Sequence, residues 1–167
     1  SLAIQKSVAD ITSPSEVKPT DTLQYTLNFQ VSDFFAIKDV IITDTLGDGQ
    51  TFNSSFVPKL VLIIDGTTIN LDFDNSGALP EFTAIYHPYI GVPDPAAGTT
   101  TLTFYLSNLL INRGYSGVLT GGLYDDRQVN KGATTGNITF QSTIDLAYNN
   151  PDSHPGGNKE LVSGDPV

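Results

Sequence analysis

The feature that most constrains this chain is a strict two-residue alternation of apolar and polar side chains. Leu23, Tyr25, Leu27, Phe29 and Val31 share one face of a segment whose other face carries Gln24, Thr26, Asn28 and Gln30. Only an extended strand sends successive side chains to opposite sides, whereas a helix stripe recurs every three or four residues. The same alternation groups Leu2, Ile4, Lys6 and Val8, then Val40, Ile42, Asp44 and Leu46, then Ile138, Phe140, Ser142, Ile144 and Leu146. Strand-like composition, rich in Thr, Val, Ile, Tyr and Phe, also covers 57–64, 68–73, 101–106 and 137–148. Turn chemistry separates these stretches: Ser13-Pro14-Ser15, Gly47-Asp48-Gly49, Asp65-Gly66, Pro93-Asp94-Pro95 and Pro155-Gly156-Gly157. One short helical turn is expected within 109–119. Many strands and no amphipathic helix predict an antiparallel sandwich or barrel.

With 167 residues, 39% of them hydrophobic, the chain suits one globular domain. No internal repeat is visible, so it reads as one copy of a module repeated in its parent protein. The absence of Cys excludes a disulfide scaffold and a thiolate metal site. A formal net charge of −10 argues against nucleic acid and anionic membranes as partners, and favours simple solubility. The apolar run at 60–64 is far too short to insert into a bilayer. Ser1-Leu2-Ala3 enters a strand pattern directly, which places any targeting segment outside this sequence.

Two charged residues interrupt apolar faces. Lys6 sits among Leu2, Ile4 and Val8, and Asp44 among Val40, Ile42 and Leu46. Burial disfavours the charged form of each. Two readings follow. The pair forms a buried ion pair, or Lys6 snorkels outward at a strand end. Alternatively, a neutral Lys6 amine attacks a side-chain amide while a protonated Asp44 shuttles protons, giving a Lys–Asn isopeptide bond.

Lys18-Pro19-Thr20-Asp21-Thr22-Leu23-Gln24-Tyr25-Thr26-Leu27 resembles the "pGdtltYtl" segment of isopeptide-forming immunoglobulin-like repeat domains of bacterial fimbrial and giant surface proteins. Val40-Ile41-Ile42-Thr43-Asp44-Thr45-Leu46-Gly47-Asp48-Gly49 resembles their "vvvtDtLpdG" segment, and Ile4-Gln5-Lys6-Ser7-Val8 their Lys-bearing first strand. Gly132-Ala133-Thr134-Thr135-Gly136-Asn137-Ile138-Thr139-Phe140 is similar to a late strand of large members. The resemblance implies an all-β, antiparallel immunoglobulin-like β-sandwich, with Lys6 as nucleophile and Asp44 as catalytic carboxyl. It also implies a last strand of the form "GD-x-l-x-N-x-a-x-i" carrying the reactive Asn. Val162-Ser163-Gly164-Asp165-Pro166-Val167 is similar to the start of that strand. The chain 1–167 is therefore expected to be a single module missing its C-terminal strand, with the partner Asn beyond Val167. Asn137, which belongs to an outward set, and the turn-like Asn149 and Asn150 are poorer substitutes.

Asp72-Phe73-Asp74-Asn75-Ser76-Gly77 places oxygen ligands at alternate positions before a glycine, like the first half of a calcium loop, with Asp72, Asp74 and Ser76 as ligands. The acidic residue that would close such a loop is missing, since Thr83 stands there, and Asp, Asn, Ser and Gly also build ordinary turns. Asp125, Asp126 and Asp152 are weaker candidates. His87 and His154 each adjoin a proline, and no hydrolase motif or phosphate-cradling glycine loop is present.

The expectation is a non-enzymatic structural and adhesive module on a bacterial cell surface. It requires no cofactor, and calcium is a candidate ligand. Its partners are a complementary Asn-bearing strand or peptide, neighbouring repeat domains and a surface ligand. A cross-link between first and last strands would resist unzipping under tension and, by loop-closure entropy, constrain the unfolded chain. The alternative is a ligand-binding adhesin domain without a cross-link, using the long region 74–100 with its Phe82, Tyr86 and Tyr89. A carbohydrate-active enzyme fragment would need two facing carboxylates in a groove.

Overall fold

A computed structural model describes residues 1–64, 66–122 and 133–152. In chain order the elements are β1 Leu2–Asp10, β2 Thr22–Val31, β3 Ala36–Ile37, β4 Ile41–Leu46, β5 Gln50–Phe52, β6 Lys59–Ile64, β7 Thr67–Asp72, β8 Phe82–Tyr86, β9 Thr100–Tyr105, α1 Leu106–Asn112, β10 Leu119–Thr120 and β11 Thr135–Ile144. The larger sheet runs β1-β2-β11-β6-β7, with β5 also pairing β11. The smaller runs β4-β9-β8, and β3 pairs with β10 in a short ribbon. Every pairing is antiparallel. The molecule is the expected all-β antiparallel sandwich.

The alternation seen in the sequence becomes a buried stripe. Leu23, Tyr25, Leu27, Phe29 and Val31 of β2 pack with Leu60 and Leu62 of β6, Ile138 and Phe140 of β11, and Leu102 and Phe104 of β9. Each such side chain contributes about 1.5–3 kcal/mol when fully removed from water. Phe104 joins the two layers, meeting Phe73 edge-on at 5.3 Å and Phe140 at 5.6 Å. Gly136 stands opposite Phe29, where a Cβ would come within 2.5 Å of the ring, so the absent side chain makes room for the aromatic one.

Two sequence expectations are corrected. The helix begins at Leu106, ahead of the expected 109–119, because Leu106, Leu109 and Leu110 turn inward behind β9. Ser107 pins it, accepting a hydrogen bond from the Val40 amide and donating one to the Gly117 carbonyl. The region 74–100 is not one loop, since it contains β8, which pairs with β9 through Phe82↔Phe104, Ala84↔Leu102 and Tyr86↔Thr100.

Candidate functional site

β1 is an edge strand, and among the described residues it pairs only with β2. Its register sets Lys6 opposite Leu27, Ile4 opposite Phe29 and Val8 opposite Tyr25. Residues opposite one another in an antiparallel pair share a face, so Lys6 does lie on the core side. The expected burial, however, is incomplete. Ile4 is 49% and Val8 56% exposed, and the Lys6 side chain retains 37% of its accessibility. The reason is width, since the three-stranded sheet does not extend over β1.

Asp44 comes from the opposite layer. On β4, itself an edge strand, it lies between the buried Ile42 and Leu46 and is 15% exposed. The Lys6 ammonium donates to Asp44 Oδ1 at 2.9 Å and lies 2.8 Å from Oδ2. Oδ2 is a buried oxygen held by this ion contact and accepts no further hydrogen bond among the described residues. The pair bridges the edges of both sheets across one open side of the sandwich.

A polar floor supports it. The ammonium sits 4.8 Å from the centroid of the Tyr25 ring, a favourable placement for a cation on a ring face. The Tyr25 hydroxyl donates to Gln50 Oε1 at 2.6 Å, and the Ser142 hydroxyl donates to the same oxygen at 2.7 Å. Burial pushes the Tyr25 hydroxyl pKa up against the opposing effect of its bonds to Gln50 and Ser142, and the Asp44 charge adds to the rise. Phe140 stacks on the same ring at 5.2 Å. Sequence reasoning named neither Tyr25 nor Gln50 as part of this site. The available signal was Ser142, a lone hydroxyl within the inward set Ile138, Phe140, Ile144.

The other candidates lie elsewhere. Asn137 pairs with Asn28 on β2 and Val61 on β6, on the face away from the core, as expected. The Asn149 and Asn150 amides donate to the two oxygens of Asp48 at 2.8 and 2.7 Å, and the Asn150 side chain donates to the Asp94 carbonyl. Residues 162–167, His154, Asp125 and Asp126 lie outside the described residues.

The candidate calcium loop is organised around a cation already in the chain. Arg113 donates to Asp74 Oδ1 at 2.8 Å and to both oxygens of Glu81, at 2.8 and 3.2 Å. Glu81 is fully buried and also accepts from the Asn75 and Gly77 amides and the Asn112 side chain. Asp72 pairs with Lys59 at 3.1 Å, and Ser76 donates its amide to Asp74. Asp72 and Asp74 are thus each paired with a cation of the chain itself; no group of three or more acidic, His or Cys side chains able to hold a metal occurs among the described residues. Neither Glu81 nor Arg113 was legible as a buried pair.

The proposed ligand region contributes a groove of about 470 Å³ lined by Thr51, Phe52, Ala84, Tyr86, Asp145 and Asn149. Phe82 is instead packed between Phe52 and Phe104, at 5.3 and 5.0 Å.

No protein-family model and no curated protein matches the chain. Among solved structures, the pilus backbone RrgB of Streptococcus pneumoniae is similar at 14% identity and a TM-score of 0.35, over 87% of this chain and 46% of that one. The chain thus spans about half the length of that structure. No helix among the described residues is long and apolar enough to cross a membrane.

Proposed function

We propose that this chain is a structural module of a bacterial surface protein in which Lys6 forms an isopeptide bond with an Asn on a strand that docks along β1. The observation that carries this reading is the Lys6–Asp44 pair set across an open side of the sandwich. The sequence resemblance of the β1, β2 and β4 segments supports it.

The backbone of β1 is suited to receive a strand. Ser32 donates to Ser1, and Ile11 donates to Thr22, so odd-numbered residues bond toward β2. By strand alternation, the amide and carbonyl groups of Ile4, Lys6 and Val8 face the open edge. A docked strand with apolar residues two positions either side of an Asn would cover Ile4 and Val8 and bring the Asn carboxamide to Lys6. Proximity then replaces a bimolecular encounter.

In the closed, dry site the Lys6 ammonium passes a proton to Asp44. The neutral amine attacks the Asn side-chain carbonyl carbon, while the protonated carboxyl donates a hydrogen bond to the carbonyl oxygen. The Nζ–C bond forms, the C–Nδ2 bond breaks, and Asp44 relays a Lys6 proton to the departing nitrogen. With the second Lys6 proton also passed on, the nitrogen leaves as ammonium and Asp44 is again the carboxylate it began as. The event occurs once per molecule, so the module is not a turnover enzyme.

The test is to mix the chain with a peptide of the form GDxLxNxAxI and measure intact mass after denaturation. The expected product is the summed mass less one ammonia. Lys6→Ala should give none, and Asp44→Ala should bind the peptide while coupling far more slowly. An adduct still formed by Lys6→Ala would sink the mechanism.

A further inference from the structure

We infer that β8 is a contact strand through which two copies of this chain pair edge to edge. Edge strands ordinarily carry charges, prolines or bulges that discourage such pairing. Here β1 carries Lys6, β4 carries Asp44 and β7 carries Asp72. β8 differs, because from Phe82 through Pro93 the chain contains no Asp, Glu, Lys or Arg, in a protein of net charge −10. Ile85 is 56% and Tyr86 46% exposed.

The hydrogen-bonding pattern defines what the edge can accept. Tyr105 donates to the Glu81 carbonyl and His87 donates to the Thr99 carbonyl, so odd-numbered residues of β8 bond toward β9. Even-numbered residues therefore face outward. Phe82 is already closed, since its amide donates to Asn75 Oδ1 and its carbonyl accepts from Asn75 Nδ2. Pro88, at the other end, has no amide hydrogen to donate. Among the described residues, that leaves the amides and carbonyls of Ala84 and Tyr86 as a short open ladder, stopped at both ends.

This ladder is complementary to itself. An antiparallel twofold about Ile85 pairs Ala84 of one copy with Tyr86 of the other, twice, through four backbone hydrogen bonds. Ile85 meets its own copy in the close, non-hydrogen-bonded position on the outer face. On the inner face a large side chain lands opposite a small one, so the second copy's Tyr86 ring lies over Ala84 and Phe52 at the mouth of the 470 Å³ groove. Asp48 and Asp145 are close enough to Tyr86 to raise its hydroxyl pKa after burial. They are of like sign, and physiological salt screens their repulsion between copies. The pairing uses neither Lys6 nor Asp44 and stands apart from the isopeptide reading.

The chain has no cysteine, so one introduced thiol reports on the axis without interference. Ile85→Cys should give a disulfide-linked dimer under mild oxidation. Ile41→Cys, 54% exposed on β4 at the other edge of the same sheet, should remain largely monomeric. Sedimentation of the unmodified protein in physiological salt should show concentration-dependent dimerisation, weakened at least tenfold by Ile85→Lys. Ala84→Pro, which removes an outward amide while leaving the β9 ladder intact, should weaken it likewise. A protein that sediments as a monomer throughout, or equal cross-linking of the two cysteine variants, would overturn the proposal.

Discussion

Two charged contacts on this sandwich differ in how completely they are sealed. At Arg113, Glu81 is fully buried and both its oxygens are bonded, to the guanidinium, two backbone amides and Asn112. At Lys6, the side chain keeps 37% of its accessibility and its ammonium is the partner of both Asp44 oxygens. A satisfied buried network fixes structure, since breaking it leaves an uncompensated charge. The same chemistry, carboxylate against cation, thus acts as a lock at one place and stays partly open to solvent at the other.

The largest effect expected from this contrast is on folding. Glu81→Ala should cost about 3–5 kcal/mol, because it strands Arg113 and several amide donors. In a domain of this size that is a melting-temperature loss of about 10 °C by calorimetry. A loss of only a degree or two would mean that the lock is not one. Lys6→Ala should cost no more than about 1 kcal/mol, because its partly exposed pair is screened by solvent. A cost as large as that of Glu81→Ala would erase the distinction between the two contacts. The smallest effect is at acid pH. The Ser76 hydroxyl and amide, with Arg113 adding its charge, hold the Asp74 carboxyl below its usual range. A folded-state pKa below the unfolded value contributes stability that is present above about pH 4 and is lost as pH falls through the folded value. Asp74→Asn should therefore lower the neutral plateau slightly and leave the strongly acidic end unchanged, which flattens the acid limb of a stability-versus-pH curve.

What the sequence disclosed followed the range of its regularities. β2 and β11 carry long runs of alternating positions and were legible in type and, as far as Ile144, in face; Leu146, expected in the inward set, lies past the end of β11 and is 70% exposed. Lys6 and Asp44 were legible as interruptions of such faces, and they do meet. The exposure of Lys6 was not legible, because it depends on how far the opposite sheet reaches, a property of no single strand. β8 was missed because its inward set is only Phe82, Ala84 and Tyr86, followed closely by Pro88. Glu81 was missed for a different reason. No local pattern marks a buried acid whose partners, Asn112 and Arg113, arrive from the end of a distant helix.

The position of β2 has a consequence for the order in which the molecule is built. Tyr25 is flanked by Val8 on one side and Phe140 on the other. The first neighbour is a short hairpin away, while the second lies beyond most of the chain. Loop closure makes the near pairing quick and the far one slow. During synthesis from the N-terminus, β1 and β2 emerge and can pair long before β11 exists. Through that interval the apolar stripe of β2 lacks Ile138 and Phe140 of its central neighbour, although the core residues of β6 and β9 precede them in the chain. The central ladder closes only when residue 135 and its successors arrive, so completion of the core waits on the last described strand. A nascent chain paused before β11 would leave the edge of β2 that β11 covers unpaired, which makes that strand's late arrival the step that seals the larger sheet.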